Sequence, residues 1–424
     1  MNQALRTRQD SGIASIGSIP ADWELTAARR FLRLKKHLVG KRSDDFKLLS
    51  LTKQGVIPRD ITENKGKFPE SFDTYQSVQN GDLVLCLFDI DETPRTVGLS
   101  AFDGMITGAY SVFHCATDWY RDYLYLLLLH LDDAKGLKPF YSGLRKTIRP
   151  PEFLSIRFPV PSQNEARAIF EYVSTETTRI DALIEKKIRF IELLKEKRQA
   201  LITQAVTKGL DPNVQMRDSG MPSVGDVPSH WDVVALRRSL KLKKNLVGKM
   251  WESFKLLSLT RRGVIYRDTS ENHGKFPESF EAYQSVEPGD LVCCLFDIDE
   301  TPRTVGLSNL GGMITGAYSV FTCQDRLAMQ YLYYLLLHID DIKGLKPFYS
   351  GLRKTVRPPE FLSIRFPLPP NGEVEKIVRY IESETSKMDR LVSLTEESVA
   401  LLKERRSALI TAAVTGQIDL REAA

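Results

Sequence analysis

The chain lacks the residue patterns on which several functional classes depend. Its five cysteines form no CxxC pair and no zinc-type spacing, and its six histidines are scattered without a metal-ligand pair. It has no GxxxxGK(S/T) phosphate loop, and no GxGxxG follows a strand pattern. The longest apolar run, at 123–131, is about half of what a bilayer span needs. The polar opening MNQALRTRQDSG is unlike a secretory signal, so we expect a cytoplasmic protein with reduced thiols.

What the chain does contain is an internal duplication. Trp23 recurs as Trp231, and the same offset of 208 residues runs through the chain without a gap. Between positions 46 and 159, 88 of 114 residues are identical to their counterparts, whereas between 165 and 207 only 19 of 43 are. A chain of 424 residues is long enough for two or three domains. The repeat predicts two near-copies of one module, each followed by a diverged helical segment, and a target with two matching halves.

Each module combines strand and helix patterns. Alternating apolar runs predict strands at 46–52, 81–90 and 105–115, and the apolar run at 120–133 predicts a buried helix. Four prolines within 149–161 exclude a continuous helix there. The fold class is therefore α+β. The predicted limits are 1–163 and 211–371 for the modules, and 164–210 and 372–424 for the helical segments.

The segment from 165 to 207 contains no glycine or proline, and its seam residues step alternately by four and three. This spacing of 3.5 residues is typical of a left-handed coiled coil. Thirty-odd residues would form a rod of roughly 50 Å, and the two helices should pair with each other, the alternative being that each packs on its own module. The seam arginines either fix the register or extend to the rim. The seam residues are Ile180, Ile184, Lys187, Ile191, Leu194, Arg198, Leu201 and Ala205, and in the copy Met388, Val392, Thr395, Val399, Leu402, Arg406, Leu409 and Ala413.

Positive charge is concentrated at one place in each module. The segment 29–42 holds seven Lys or Arg residues and no acid, and its copy at 237–250 holds six and no acid. We call 29–42 and 237–250 the basic strips. A strip that persists in both copies indicates a polyanion-binding surface. The alternative is a solvated helix face whose acidic partners lie elsewhere.

Four short motifs occur once in each half of the chain. They are IPxxW at 19–23 with its variant VPxxW at 227–231, GDLV at 81–84 and 289–292, RFPxP at 157–161 and 365–369, and RxALITxAVT at 198–207 and 406–415. In this order, and across nearly the whole chain, they resemble the specificity subunits of type I restriction–modification systems.

The resemblance implies two target recognition domains, each reading one half of a bipartite site in double-stranded DNA. It implies that the two long helices pair antiparallel as a spacer, giving an approximate two-fold arrangement. Modification (methyltransferase) subunits, expected to be two, would dock on these helices, and restriction (translocase–nuclease) subunits would join that core. The chain itself would be non-catalytic and hold no cofactor, because S-adenosylmethionine, ATP and Mg²⁺ belong to the partners.

The chain departs from the family in two respects. The helix entry usually carries Glu-Gln, whereas here Glu165 is followed by Ala166 and Glu373 by Val374. Family members also keep their helical regions alike and let the recognition domains diverge, which is the reverse of what this chain shows. Two like readers in an antiparallel arrangement would see inverted half-sites, so we expect a palindromic or near-palindromic target. A 50 Å rod would place the half-sites roughly one DNA turn apart, or slightly more.

Three clusters supply cations for phosphates and directional side chains for base edges, although each position alone could equally be an ordinary surface residue. The first is Lys53, Gln54, Arg59, Asn64, Lys65 and Lys67, with Arg261, Arg262, Arg267, Asn272, His273 and Lys275 in the copy. The second is Lys138, Tyr141, Ser142, Arg145, Lys146 and Thr147, with Lys346, Tyr349, Ser350, Arg353, Lys354 and Thr355 in the copy. The third is Arg95 with Arg303.

Enzymatic alternatives have weaker support. Asp89, Asp91 and Glu92 could hold a divalent metal, but such a run is more often a turn or a set of acceptors for cytosine amino groups. A nuclease motif could begin at Asp60, but the pattern is short and the copy replaces Lys65 with histidine. The Pro-Pro pair at 150–151 follows arginine rather than the Asn or Asp of amino-methyltransferases. The rival hypothesis is a self-sufficient nuclease or other enzyme built on a duplicated domain.

Overall fold

The computed structural model describes residues 6–59, 69, 71–267, 279–349, 351 and 353–420. The chain divides into two compact units, one comprising 1–188 with 397–424 and the other 189–396. Each unit contains one module together with segments of both long helices. The domain limits given by the sequence remain a prediction.

The first module is built around an antiparallel four-stranded sheet with the order β4-β11-β8-β9. Strand pairs β1–β2, β3–β12, β5–β6 and β7–β10 surround it. Its elements are β1 (Arg8–Asp10), β2 (Ser18–Pro20), β3 (Glu24–Ala27), β4 (Leu32–Lys35), β5 (Leu49–Thr52), β6 (Gly55–Pro58), β7 (Gln76–Val78), β8 (Leu83–Leu85), β9 (Val97–Leu99), β10 (Gly104–Ile106), β11 (Ser111–Cys115), α1 (Asp118–Asp133), α2 (Pro150–Ser155), β12 (Arg157–Val160) and the long helix α3 (Gln163–Lys208).

The second module repeats this topology, with the sheet order β16-β23-β20-β21. Its elements are β13 (Met216–Asp218), β14 (Asp226–Pro228), β15 (Asp232–Ala235), β16 (Lys241–Lys243), β17 (Leu257–Thr260), β18 (Gly263–Tyr266), β19 (Gln284–Val286), β20 (Leu291–Cys293), β21 (Val305–Leu307), β22 (Gly312–Ile314), β23 (Ser319–Thr322), α4 (Arg326–Asp341), α5 (Pro358–Ser363), β24 (Arg365–Leu368) and the long helix α6 (Asn371–Val414). The α+β fold of two homologous modules joined by two long helices is therefore confirmed.

The core of each module lies between the sheet and its first helix. Helix α1 contacts β9 and β11, and its predicted burial is confirmed by the fully buried Tyr123. Trp23 of the IPxxW motif is 2% exposed and packs edge-on against Tyr123, their ring centroids 5.9 Å apart. Pairing of Phe158 with Thr26 joins β12 to β3, so the closing motif pairs with the strand that directly follows the opening motif. The motifs that carried the resemblance are thus structural residues of the core.

The predicted strand at 105–115 is wrong in one respect, because the structure has two strands there, β10 and β11. They are separated by a turn in which the Tyr110 backbone N–H donates to the Thr107 carbonyl at 3.1 Å. Gly108 lies in this turn, and a Cβ there would lie 2.4 Å from the Thr74 carbonyl oxygen. Thr74 is 34 positions away from Gly108 in the sequence. The alternation of apolar and polar residues within one segment therefore could not reveal this close contact.

The proline-rich segment 149–161 contains a short helix followed by a strand. Pro150 and Pro151 begin α2, where a missing backbone N–H costs little because the first helical turn has no acceptor for it. Pro159 lies in the two-stranded pair β12–β3. The sequence therefore correctly excluded a continuous helix, but not a helix of six residues.

Helices α3 and α6 comprise 46 and 44 residues, about 69 and 66 Å at 1.5 Å per residue. They are longer than the predicted rod because their first turns belong to the module cores, where Ile169 and Ile377 are fully buried. Every predicted seam position on both helices is buried or half-buried. Outside the seam, Leu183 and Leu193 are 48% and 45% exposed. The predicted coiled-coil seam is therefore confirmed.

Within each unit, α3 and α6 run antiparallel. In the first unit, Val173 shares a core with Ile410 and Val414, while further along the helices Arg406 Nε donates to Asp181 Oδ1 at 2.9 Å.

In the second unit, Val206 shares a core with Ile377, and Arg198 Nε lies 3.5 Å from Asp389 Oδ1. Both seam arginines thus lie beside a carboxylate of the other long helix, with side chains that are 36% and 35% exposed. Among the described residues, no helix is both long and apolar enough to span a bilayer.

Candidate nucleic-acid interface

The basic strip of the first module is a strand flanked by turns, rather than a helix face. It passes from a 3-10 turn at Ala28–Arg30 through β4 to a second turn at Gly40–Asp45. Three of its cations form ion pairs, namely Arg30 with Glu24 at 2.8 Å, Lys35 with Asp82 at 2.8 Å and Arg42 with Asp45 at 3.1 Å. Lys36 and Lys41 are exposed and form no ion pair with any residue that the structure describes. The strip is therefore partly neutralised, and part of it remains available to a polyanion.

The second predicted cluster forms a hairpin that projects from the module. The backbone groups of Ser142 and Thr147 donate to each other at 3.1 and 3.2 Å, closing a turn over the residues between them. Gly143 and Lys146 adopt positive φ angles of 74° and 44°, which favours glycine at the first of these positions. A Cβ on Gly143 would meet no atom within 4 Å, so this glycine serves the turn rather than a close approach. Arg145 lies at the exposed tip.

An acidic loop, residues 89–93, holds this hairpin in place. Asp91 accepts a hydrogen bond from the Tyr141 hydroxyl at 3.2 Å and pairs with Lys146 at 3.3 Å and Lys138 at 3.5 Å. Desolvation of the Asp91 carboxylate raises its pKa, but the hydrogen bonds from Lys146 and Tyr141 and the charge of Lys138 outweigh it, so the pKa is lowered. The backbone N–H of Asp89 donates to the Arg145 carbonyl at 2.9 Å. The loop thus acts as a hydrogen-bonded turn.

The same arrangement recurs in the second module. Asp299 pairs with Lys354 at 3.2 Å and Lys346 at 3.6 Å, and accepts from the Tyr349 hydroxyl at 3.3 Å. The Asp297 backbone N–H donates to the Arg353 carbonyl at 2.9 Å, and the Thr355 hydroxyl donates to the same carbonyl at 3.1 Å. Ser350 lies outside the described residues. Across the parts of the chain that the structure describes, no group of three or more His, Cys, Asp or Glu side chains is placed to hold a metal.

The third predicted cluster is engaged inside the modules. Arg95 Nη1 lies 3.1 Å from Asp132 Oδ2 and 3.2 Å from Asp133 Oδ1, and its side chain is 18% exposed. Arg303 pairs in the same way with Asp340 and Asp341, at 3.2 and 2.8 Å. These arginines tie the segment before β9 or β21 to the end of the nearby helix. Contact with DNA remains a prediction for both.

The first predicted cluster is only partly described. Lys53 and Gln54 occupy the exposed turn between β5 and β6, and Arg261 and Arg262 occupy the equivalent turn between β17 and β18. Arg59 and Arg267 are exposed at the ends of β6 and β18, where their backbone N–H groups donate to Leu48 and Leu256 at 2.9 Å. Asn64, Lys65, Lys67, Asn272, His273 and Lys275 lie outside the described residues. The structure places this cluster and the hairpin on different loops of each module.

The two modules differ beside this first cluster. Around a cavity of about 510 Å³ in the second module lie Trp251, Tyr266 and Phe280, with Lys255 Nζ 5.0 Å from the centroid of the Tyr266 ring. The positions equivalent to Trp251 and Tyr266 are occupied by serine and proline in the first module, so neither ring is present there. The two candidate interfaces are therefore alike at the hairpin and differ around Trp251 and Tyr266.

Sequence reasoning missed a groove between the basic strip and the base of the hairpin. In the first module it measures about 500 Å³, and Lys36, Leu38, Phe88, Tyr110 and Thr147 are among the residues around it. The Phe88 and Tyr110 rings stack with centroids 6.1 Å apart and an interplanar angle of 23°. Burial raises the pKa of Tyr110, so its hydroxyl stays protonated near neutral pH. In the sequence, the groove could have been suspected only from Leu38, an apolar residue within the cationic segment 29–42.

Comparison with known proteins gives one curated relative by sequence. No protein-family model matches the chain. The type I restriction enzyme MjaVIII specificity subunit of Methanocaldococcus jannaschii is 22% identical over 295 residues. The match covers 63% of this chain and 64% of the relative, so it spans just under two thirds of the relative's length.

Two solved structures have the same fold. A chain from a structure on complex assembly and conformational transition of a type I restriction–modification system matches with a TM-score of 0.66 at 14% identity, covering 94% of this chain and 99% of that one. The HsdS subunit from Thermoanaerobacter tengcongensis matches with a TM-score of 0.51 at 14% identity, covering 94% and 98%. The resemblance to type I specificity subunits, inferred from the sequence motifs, is confirmed by these comparisons.

Proposed function

We propose that this chain is the DNA sequence-recognition subunit of a type I restriction–modification complex. Each module would read one half of a bipartite site in double-stranded DNA. The observation that carries the proposal is the duplication itself, since each unit presents the same groove and hairpin and is crossed by antiparallel segments of α3 and α6. The relative by sequence is itself named a specificity subunit.

The predicted site residues divide into two proposed roles. The exposed Lys53, Gln54 and Arg145, with their copies, would contact phosphates or base edges directly. Lys138, Tyr141 and Lys146 would position the hairpin through Asp91, since all three are already engaged with that carboxylate.

The partners would supply the chemistry. Modification subunits, two by our proposal, would dock along the helices and use S-adenosylmethionine, and restriction subunits with ATP and Mg²⁺ would join them. The chain would itself be non-catalytic and would work in the cytoplasm, where its DNA target lies. Exposed apolar side chains along the helices, among them Leu183, Leu391 and Leu401, suit such docking.

Co-purification with the host's modification subunit tests this proposal. We expect specific binding to a duplex that carries the methylated site only when the modification subunit is present. We also expect neither Mg²⁺-dependent cleavage nor methyl transfer by the chain alone. Activity of the isolated chain would instead favour a self-sufficient enzyme.

Mapping methylated adenines in the host genome tests the symmetric target. We expect two half-sites that are inverted copies, or nearly so, because the hairpins are identical in sequence from Lys138 to Thr147 and from Lys346 to Thr355. Any departure from symmetry should come from the Trp251–Tyr266 region and the turn at Arg261. Unrelated half-sites would refute the symmetric target while leaving the recognition function in place.

A further inference from the structure

The groove beside the basic strip has the same form in both modules. It measures about 500 Å³ in the first and about 460 Å³ in the second. One wall is the end of the strip, with Lys36 and Leu38, and the opposite wall is the base of the hairpin at Thr147. The corresponding walls of the second groove carry Lys244, Leu246 and Thr355. Among the described residues around either groove there is no Asp or Glu.

A leucine stands exposed on the lip of each groove. Leu38 is 59% exposed and Leu246 is 66% exposed, although both lie in otherwise structured segments. A single exposed leucine is ordinary on a protein surface. Here, however, the same residue is exposed at the same place in both modules, within a run that is otherwise strongly cationic.

The backbone that carries this leucine is rigidly held. Leu38 forms an isolated antiparallel bridge with Gln76. The next N–H, of Val39, donates to the Tyr75 carbonyl at 2.9 Å, and the His37 carbonyl accepts from the Ser77 N–H at 2.8 Å.

The second module keeps all of these contacts. Leu246 bridges to Gln284, the Val247 N–H donates to Tyr283 at 2.9 Å, and the Asn245 carbonyl accepts from Ser285 at 2.8 Å. Each leucine is therefore held outward on a fixed support, and inserting it into a partner would cost little conformational entropy.

The charge around the leucines selects the partner. Lys36 and Lys41 lie two and three residues from Leu38, are exposed, and form no ion pair within the described residues. Lys244 and Lys249 are placed in the same way beside Leu246. An apolar tip between unneutralised cations suits DNA, whose phosphates attract the cations and whose base steps accept an apolar side chain.

We propose that the groove in each module closes on duplex DNA, with Leu38 and Leu246 pressed against the bases as apolar wedges and Lys36 and Lys244 on the adjacent phosphates. This inference rests on the proposed function and specifies where on each module the DNA lies. The leucines partly unstack one base step in each half-site. The wedge reads the ease of unstacking rather than a hydrogen-bond pattern.

The test uses the chain assembled with its modification subunit and a duplex that carries the methylated sequence. One duplex series contains 2-aminopurine at successive positions of each half-site, because its fluorescence rises when the base unstacks. We expect a rise at one step per half-site with the unaltered chain. Leu38→Ala should abolish the rise in one half-site only, and Leu246→Ala in the other.

Affinity gives a second readout. Each leucine substitution should weaken binding about tenfold without changing the salt dependence. The double variant Lys36→Ala with Lys244→Ala should make the negative slope of log K against log salt shallower by about two. Ile342→Ala is the matched control, since Ile342 is a 50% exposed apolar residue away from the groove whose counterpart is Ala134. It should bind as the unaltered chain does.

The failures can be distinguished. If the unaltered complex does not bind its methylated sequence, the proposed function fails. If it binds but shows no fluorescence rise, or if both leucine variants bind and respond normally, only the wedge is overturned. If the leucine variants no longer assemble with the modification subunit, the groove is a protein interface and the inference is again wrong. Urea unfolding midpoints equal to that of the unaltered chain establish that the variants fold.

Discussion

A glutamate at equivalent positions in the first turns of α3 and α6 contacts each module, but its surroundings differ between the two. Glu165 is 3% exposed and accepts from Trp23 Nε1 at 3.0 Å and from Arg6 Nη1 at 2.6 Å. Its counterpart Glu373 has a side chain that is 25% exposed and pairs with His230 Nε2 at 2.8 Å.

The neighbours account for this difference. The position equivalent to Arg6 is Val214, which offers no cation, and Asp22 is replaced by His230. As a result the buried Trp231 Nε1 has no hydrogen-bond partner among the described residues. An identical residue in a repeat therefore need not have an identical role, because its partners come from the less conserved flanks.

Substituting the two glutamates should give the largest difference between the modules. Glu165→Ala removes the acceptor of the buried Trp23 indole N–H and one of the two carboxylates that bind the Arg6 guanidinium. Arg6 keeps its ion pair with Asp22, so the variant should destabilise the first unit by about 2–3 kcal/mol. Glu373→Ala removes only a partly exposed pair and should cost about 1 kcal/mol or less. Hydrogen exchange in the first turns of α3 and α6, followed in each variant, measures the two losses.

Glu165→Gln is the control for this comparison. The glutamine keeps an acceptor for the Trp23 indole N–H but removes the negative charge of the carboxylate. The hydrogen bond between that carboxylate and the Arg6 guanidinium raises the pKa of Arg6. An intermediate loss is expected. Equal losses for the two alanine variants would show that the surroundings of the glutamates do not matter.

A smaller contrast concerns the tyrosine that joins each module to the end of a helix. The Tyr331 hydroxyl lies within hydrogen-bond distance of two carbonyl oxygens, that of Val206 at 3.0 Å and that of Pro367 at 3.1 Å. The Tyr123 hydroxyl donates to the Val414 carbonyl at 3.2 Å. Burial raises the pKa of both tyrosines, so both hydroxyls remain donors near neutral pH.

Replacing each tyrosine by phenylalanine removes the hydroxyl and leaves its carbonyl partners. Both variants should cost about 1–2 kcal/mol, with the larger loss for Tyr331→Phe, because two buried carbonyls share the single hydroxyl proton there and one carbonyl accepts it in the first module. Urea unfolding of the two variants, read by hydrogen exchange in each unit, provides the comparison. A larger loss for Tyr123→Phe would contradict the hydrogen-bond count.

Local and periodic features could be predicted from the sequence. The offset of 208 residues revealed the repeat, and the 3.5-residue spacing identified the seam on which Ile191 and Val399 are buried. Both patterns are written along one segment, so no tertiary information is needed to find them.

Features that depend on distant residues were not predictable. The break between β10 and β11 contains Gly108, which the Thr74 carbonyl approaches closely, and Arg95 pairs with a carboxylate 37 residues away. The groove requires the strip, an aromatic stack and the hairpin to meet, which only the folded module specifies. The candidate residues of the hairpin were found together because they are adjacent in sequence.

The ion pairs at the edge of the seam should contribute less than the buried groups. Arg406 Nε lies 2.9 and 3.2 Å from the two oxygens of Asp181, whereas Arg198 Nε lies 3.5 Å from Asp389. All four side chains are at least one third exposed, so solvent screens both pairs.

A double-mutant cycle measures each pair separately. We expect a coupling of about 0.5 kcal/mol for Asp181 with Arg406, and less for Asp389 with Arg198. The charge exchange Asp181→Arg with Arg406→Asp should restore most of the stability lost in the single variants. No recovery in the exchange variant would mean that the two side chains do not interact in solution.

The smallest expected effect is a pH dependence in the second unit. His338 Nε2 lies 3.2 Å from the Ser223 carbonyl and Nδ1 lies 3.0 Å from the Thr203 hydroxyl. A neutral ring with its proton on Nε2 satisfies both groups, since Nε2–H donates to the carbonyl and Nδ1 accepts from the hydroxyl. Burial lowers the pKa of His338, and this outweighs the opposing contributions of the Ser223 hydrogen bond and the charge of Asp341.

The sign of the effect follows from this lowered pKa. The unfolded chain binds a proton near pH 6.5, and the folded chain binds it only at lower pH. Stability of the second unit should therefore be highest above pH 6.5 and decline as the pH falls through that value, until the folded state is protonated as well. His338→Gln keeps polar groups near Ser223 and Thr203 but does not titrate, so this part of the decline should be missing in the variant. Hydrogen exchange in α4 between pH 5 and 8 measures it, and an unchanged decline in His338→Gln would assign the pH dependence to other groups.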